Sequence, residues 1–287
     1  MPQWNCACPN CQAARAGSIR PRTQSCVAIG DAEGNWFLVN ASPDLRSQIE
    51  SNPYLQPRAS GSRNSPIGGV LLTNADLDHV LGLFLLREGA PLHIYATKAV
   101  FSVLETTLGL TRVLNSMCGT VCHEPPMDKL KPLHSGRKKG ASLSYRAIEL
   151  PGQPPRFAPG SSGAHSIAYE FRDEGTGRKL LVAPDVAGLN EPFSKALAEA
   201  DAVLFDGTFW AGDELSAIKP GAPSAEEIGH MTIQKGSLPL LSGLRARQRI
   251  YIHINNTNPI LALGSAERRQ VEAAGVVVGY DGLDFEL

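Results

Sequence analysis

Four short apolar runs in this 287-residue chain each deliver an acid or a histidine at the C-terminal end, and that pattern constrains the fold more than any other feature. Leu71-Leu72-Thr73 runs through Asn74-Ala75-Asp76-Leu77-Asp78-His79 into a helical pattern. Leu180–Ala183 reaches Asp185, Ala202–Phe205 ends on Asp206, and Arg249–Ile252 delivers His253 into the polar stretch Asn255-Asn256-Thr257-Asn258. Side chains at a strand end are held by a rigid sheet yet open to a cleft, which suits ligands that keep a metal partly exposed. Taken singly, each has a plainer explanation: Asp76 and Asp78 also suit a helix N-terminus, and a strand-end histidine is most often structural.

Strand patterns cover Ser25–Ile29, Trp36–Asn40, Gly69–Thr73, His93–Ala96, Leu143–Leu150, Ile167–Arg172, Lys179–Ala183, Ala202–Asp206, Arg249–Ile254 and Gly275–Tyr280. Helical periodicity is concentrated in Pro43–Ser51, Leu77–Glu88, Lys98–Leu108, Pro192–Ala200, Ser224–His230 and Ser265–Ala274, the last opening on a cap-like Ser-Ala-Glu-Arg. The mixture predicts an α/β fold. Pro151–Gly163 and Ala211–Pro223 carry loop composition, and long loops often border a site. No repeat period or low-complexity run is present, so residues 1–287 are read as a single domain.

Lys plus Arg number 27 against 28 Asp plus Glu, and this near-neutral balance gives no general attraction to nucleic acid or anionic lipid. The first residues have neither a cationic nor an apolar segment, and the most apolar stretch, Val80 to Leu86, is too short to span a bilayer. The expectation is a cytoplasmic protein with neither membrane insertion nor a nucleic-acid partner; a homodimer is left open. Six cysteines are too few for a disulfide scaffold in a chain of this size. Three of them, Cys6, Cys8 and Cys11, stand at C-x-C-x2-C spacing in a loop spanning about residues 4–14. Thiolates so placed converge on one soft-tolerant ion, and a structural zinc is the expected guest. Its fourth ligand is not evident from the spacing; resemblance to a related family with a similar cysteine cluster implies a ligand near Asn256. Cys118 and Cys122 stand at helical spacing, with His123 adjacent; a metal pair is one reading, and buried free thiols are the preferred one.

The order of strand-end residues resembles the metallo-β-lactamase superfamily, in which His-x-His-x-Asp-His is followed by a strand-end Asp and a late strand-end His. The resemblance implies an αβ/βα sandwich, two mixed sheets flanked by helices. It places Asp78, His79 and His253 as ligands of the second metal and Asp185 at the bridging acid, while Asn74 and Asp76 stand where two first-site histidines would be. Asn is a poor ligand for a borderline-soft ion, so the usual dinuclear zinc centre is not expected. Two His and one carboxylate remain, the facial-triad set that binds non-haem Fe(II). His165 or His230 would have to supply part of any rebuilt first site. His230 resembles an acid/base histidine of the phosphodiesterase-like branch, and Asp206 lies near the same cleft as a ligand or an orienting group.

Pro2-Gln3-Trp4-Asn5 with the cysteine motif, Asn40-Ala41-Ser42-Pro43-Asp44, Asp78-His79 with Gly82-Leu83, Asp206-Gly207-Thr208-Phe209-Trp210 and His253 through Leu261 together resemble the PqqB family of that superfamily. The family generally has a strand and Gly-rich turn ahead of Pro-Gln-Trp-Asn, and many relatives lack the acid at Asp185. The resemblance implies a part in the synthesis of pyrroloquinoline quinone (PQQ): iron- and O₂-dependent hydroxylation of the tyrosine ring of a cross-linked Glu-Tyr precursor. His230 and Asp206 would be catalytic, and His230 and the Asn255–Asn258 loop would face the substrate's polar groups. Two rivals are a carrier moving PQQ or its precursor to the periplasm and a metal-dependent phosphodiesterase.

Overall fold

The computed structural model of the protein describes residues 1–58, 64–134 and 142–287. Its strands form two mixed sheets, of five and of seven strands, flanked by helices, the α/β class that the sequence predicts. Where the sequence reads as one domain, the chain's internal contacts divide it into two compact units. One comprises residues 24–149 and 153–178; the other comprises 1–23, 150–152 and 179–287.

In the first unit β1 (Val27–Gly30), β2 (Trp36–Val39), β3 (Ile67–Leu71), β4 (Leu92–Tyr95) and β5 (Thr120–His123) lie side by side in that order. Only β1–β2 is antiparallel. Strands β6 (Lys131–Pro132), β7 (Leu143–Glu149) and β8 (Ile167–Asp173) pair antiparallel. The core joins Leu38, Val70, Leu72 and Ile94 to Val100, Val103, Leu104, Leu110 and Leu114 from the helical segments Lys98–Thr107 and Leu110–Met117. Burying each of these side chains contributes on the order of 1.5–3 kcal/mol. Thr97 caps the first of those helices by accepting the Val100 N–H at 3.2 Å. The buried Tyr169 hydroxyl reaches the carbonyls of Leu72 and Tyr95 at 3.1 and 3.2 Å, tying the ends of β3 and β4 to β8.

In the second unit β9 (Lys179–Ala183), β10 (Ala202–Asp206), β11 (Gln248–Ile252) and β12 (Val277–Val278) are all parallel, in the order β12-β11-β10-β9. The helix Glu191–Glu199 between β9 and β10 begins where Asn190 accepts the Phe193 N–H at 3.0 Å. It buries Phe193, Ala196 and Leu197, and the Phe193 ring lies 6.2 Å from that of Phe205. Ser265 caps the helix Ala266–Ala273 as its sequence implies. No helix among the described residues is long and apolar enough to cross a membrane.

Three expectations fail for local reasons. The helix expected over Ser224–His230 is a single 3₁₀ turn, Glu226–Ile228, ended by Gly229 at φ 89°. Cys118 and Cys122 share no helix: Cys118 closes the helix Leu110–Met117, and Cys122 lies exposed on β5. The helix expected over Leu77–Glu88 is one α-turn, Leu77–Val80, followed by a 3₁₀ segment, Leu81–Leu86. There the Gly82 N–H leaves the helical ladder and donates to the Ala41 carbonyl at 2.9 Å. A Cβ on Gly82 would meet the Ser42 and Ala41 carbonyl oxygens at 2.2 and 2.7 Å, and no rotamer relieves a backbone contact. Gly82→Ala is expected to lower stability by about 1–3 kcal/mol, the range for overpacking. A urea unfolding curve reads it as a fall in midpoint, and an unchanged midpoint would show that this docking is dispensable.

Candidate metal centre

Asp206 ends β10 with no solvent exposure. Its Oδ2 accepts the Val186 N–H at 2.9 Å and lies 2.7 Å from His230 Nδ1. Its Oδ1 accepts the Thr208 N–H at 2.9 Å and the Thr208 hydroxyl at 2.6 Å. Thr208 Oγ1 is in turn 2.8 Å from His253 Nδ1. With the hydroxyl proton on the short bond to the carboxylate, Thr208 accepts from His253 Nδ1–H. Both imidazoles then carry their proton on Nδ1 and present Nε2, the arrangement of metal-binding histidines backed by a carboxylate.

Burial opposes the Asp206 charge, but His230, His253 and Thr208 more than reverse it and hold the carboxyl below the usual carboxylate range. Burial likewise opposes a charged His230; the Asp206 carboxylate, with Asp185 assisting, outweighs it and raises that imidazole above its ordinary value. Asp185 lies two residues beyond β9, 3.9 Å from His230 Nε2 and 3.6 Å from His253 Nδ1. The imidazole rings lie 5.6 Å apart with 24° between their planes, and Phe209 stands edge-on to His230 at 5.7 Å. Asp185, His230 and His253 offer ligand atoms within 4.8 Å of one another: one carboxylate and two imidazoles. The sequence left Asp185 and Asp206 as equal candidates for ligation. The geometry separates them, since Asp206 is spent as the anchor of both histidines. Gly207 permits this close approach, because a Cβ there would lie 2.8 Å from Tyr251 Cβ.

In the other unit Asp78 and His79 occupy the turn after β3, with His79 buried. Asn74 does not stand in for a ligand; its Oδ1 lies 2.8 Å from His79 Nδ1 and takes that proton, while His79 Nε2 faces Asp78 Oδ2 at 3.8 Å. Asn74 Oδ1 also receives the Asp76 N–H, and its amide donates to the Asp76 carboxylate at 3.1 Å. Asn40, at φ 65, bonds Thr73 through its side chain and braces the same turn. His165 is buried, and among the described residues neither ring nitrogen has a hydrogen-bond partner.

Cys6, Cys8 and Cys11 place their sulfurs within 4.8 Å of one another. Cys8 is the N-cap and Cys11 lies inside the helix Pro9–Arg15, so the expected loop runs into a helix. Tetrahedral zinc bound by three thiolates needs sulfurs about 3.8 Å apart, which a cluster within 4.8 Å accommodates. Backbone N–H groups of Gln3 and Cys8 point at Cys11 Sγ and Cys6 Sγ at 3.3 and 3.4 Å. Burial alone would raise the Cys8 thiol; the N–H of Cys11, the Asn256 amide and Cys6 outweigh it and lower the thiol, which favours the thiolate a metal needs.

The beta-lactamase superfamily domain matches residues 35–254. The coenzyme PQQ synthesis protein B of Stutzerimonas stutzeri is 38% identical over 294 residues, covering 100% of this chain and 96% of the relative. That of Cupriavidus taiwanensis is 39% identical, with 100% and 95% covered. The chain belongs to the coenzyme PQQ synthesis protein B family. A solved structure of Zn(2+)-bound PqqB from Methylobacterium extorquens superimposes with a TM-score of 0.86 at 35% identity, covering 100% of this chain and 95% of that one. A diphosphatase of the PhnP family, at TM-score 0.66 and 18% identity, shares the fold alone.

Within this PqqB-family chain Asn258, in the loop after β11, is fully buried and donates to the Gly207 and Thr208 carbonyls at 2.9 and 3.2 Å, and Asn256 points at the three sulfurs. Two residues given no role from sequence also matter. Thr208 relays Asp206 to His253, and its signal was the acid-Gly-Thr spacing just past a strand. Glu214 accepts the Trp210 N–H at 2.7 Å and the Thr257 hydroxyl, tying the loop after β10 to the loop after β11. Burial pushes Glu214 up to about 7, against those hydrogen bonds.

A carboxyl raised in the fold leaves stability intact below its unfolded value near 4.5 and reduces it as pH rises to about 7. The greatest reduction, from that shift at 1.36 kcal/mol per unit, is about 3 kcal/mol. Glu214→Gln therefore gains stability relative to wild type as pH goes from 5 to 8. Paired urea titrations at the two pH values measure it, and a pH-independent difference would show that Glu214 is charged throughout.

Proposed function

We propose that the chain serves PQQ synthesis as an iron- and O₂-dependent hydroxylase of the tyrosine ring of a cross-linked Glu-Tyr precursor. The observation that carries this reading is the donor set: one carboxylate and two imidazoles from Asp185, His230 and His253, within 4.8 Å of one another. That set suits a non-haem Fe(II), which when bound supplies the activation of dioxygen that Zn²⁺ cannot. Family membership supports the pathway. By sequence pattern alone, Asp78 and His79 are proposed to ligate metal as well, and Cys6, Cys8 and Cys11 to hold a structural zinc.

The chain's own residues have separable tasks. Asp206 and Thr208 fix the tautomers of His230 and His253, so no reorientation is needed when ligands bind. Phe209, buried, packs edge-on against the His230 ring at 5.7 Å. The Asp206 carboxylate accepts the His230 Nδ1 proton at 2.7 Å and holds the ring in place. Hydroxylation places one oxygen atom of O₂ on the ring carbon in place of hydrogen and sends the other to water, with two electrons from an added reductant such as ascorbate.

The test is anaerobic loading with Fe(II), then isotopically labelled O₂, ascorbate and the Glu-Tyr substrate, with oxygen incorporation read by mass spectrometry. Incorporation is expected, lost in His253→Ala, with metal affinity lowered about 10–100-fold in Thr208→Val. Bound iron and bound substrate without labelled product would sink the hydroxylase and favour the carrier; zinc- or manganese-dependent cleavage of a phosphodiester would favour the hydrolase.

A further inference from the structure

His93 and His123 stand on neighbouring strands of the first sheet and meet through their rings. β4 and β5 run parallel, with His93 opposite Val121 and Tyr95 opposite His123. Alternate side chains share a strand face, so His93 and Tyr95 lie on one face of β4, and His123 reaches both from β5. His93 Nδ1 is 2.9 Å from His123 Nε2. The ring planes differ by 11° and the centroids lie 5.1 Å apart, which sets the two imidazoles edge to edge. Two lone pairs cannot face each other at that distance, so a proton lies between them. At least one ring is then the neutral form that binds metal.

Neighbours hold the pair on several sides. Tyr95 stacks on His123 with centroids 4.4 Å apart and 16° between the planes. The Tyr95 hydroxyl donates to the His134 carbonyl at 2.9 Å, and Tyr145 meets the Tyr95 ring edge-on at 5.7 Å. On β3 the position beside this face is Gly69, where a Cβ would lie 2.8 Å from Tyr95 Cε2 and 3.3 Å from His93 Cβ. The absence of a side chain there seats both residues that contact His123. Both histidines are only half-buried.

We propose that His93 Nδ1 and His123 Nε2 form a chelating site for a divalent ion of tetragonal preference, Cu(II) or Ni(II), at the β5 edge of the first sheet. A proton and a metal ion are alternative occupants of such a pair, since each draws on the same lone pairs. Metal–nitrogen bonds of about 2.0 Å meeting at a right angle hold their nitrogens about 2.8 Å apart, against about 3.3 Å at the tetrahedral angle. The spacing of 2.9 Å matches the tetragonal case. Binding requires a pivot that turns each lone pair toward the ion and leaves the nitrogen spacing almost unchanged. Neither histidine belongs to the carboxylate–imidazole set or the cysteine set described above. Because β5 is the outermost strand of its sheet, an ion held by both rings also ties that strand to β4.

The probe is Cu(II) iminodiacetate, whose chelate leaves two adjacent positions for imidazoles, added to the full-length protein as purified with its resident metals retained. Electron spin-echo envelope modulation counts the imidazoles on copper, and the same titration gives the affinity. Wild type is expected to bind copper through two imidazoles. In His93→Gln and in His123→Gln the two-imidazole copper is expected to fall by one per chain. What copper remains on the surviving ring should bind about 100-fold more weakly, the loss expected when one of two linked donors is removed. The complex should also raise the unfolding midpoint of wild type, and that rise should vanish in both variants. Circular dichroism checks the fold, and if His123→Gln loosens the edge strand, His93→Gln decides. An unchanged amount of two-imidazole copper in His93→Gln, or a wild-type affinity equal to that of the variants, overturns the site.

Discussion

A single carboxylate without solvent contact sets the geometry on which the candidate centre depends. Burying an unpaired charge is unfavourable by several kcal/mol, so Asp206 is tolerable only because backbone N–H groups, a hydroxyl and an imidazole all converge on it. The donors come from the segments that follow β9 and β10 and from His230, and through Thr208 the network reaches the end of β11. Parallel strands put those C-terminal ends on one edge of the sheet, so the hydrogen bonds that stabilise the carboxylate also bring Asp185, His230 and His253 together. The stability of the network and the order of the ligand set are the same interactions.

Much of this was legible in the sequence because the side chains concerned sit one or two residues past apolar strands. Asp185, Asp206 and His253 were placed by strand ends alone, and those strands recur within a residue or two of their expected limits. Their division of labour was not legible. Asp185 and Asp206 look alike in sequence, and only the count of donors around each shows that one is consumed as an anchor while the other faces two imidazoles. Thr208 escaped notice for the same reason: a hydroxyl two residues beyond an acid is common, and its meaning depends on a histidine 45 residues later. Elements governed by tertiary contact were also hidden. The segment Leu77–Glu88 has helical periodicity, yet docking of Gly82 on Ala41 bends it into a 3₁₀ turn. The edge strand β5 carries few β-forming cues beyond Thr120 and Val121, and its identity comes from pairing with β4.

The asparagines after His253 show that composition leaves direction open. A run of polar side chains next to a strand-end histidine suggests groups waiting for a substrate. Asn256 and Asn258 turn inward, where their amides satisfy backbone carbonyls and sulfur. A loop without regular structure leaves many backbone groups to be paired, and a buried one must pair them with side chains. Asn carries a donor and an acceptor on a short stem, which makes it the economical residue for that task.

His253 therefore sits between two supports of different character. From within the sheet, Thr208 and Asp206 fix its ring through local hydrogen bonds formed once β10 and β11 are paired. From the far end of the sequence, the cysteine segment meets the residue three positions along, and closing a contact across some 250 residues carries a chain-entropy cost that hydrogen bonds to thiols are too weak to offset on their own. The first support explains how the ring is oriented; the second places a contact from the N-terminal segment three residues beyond the backbone at φ 53°.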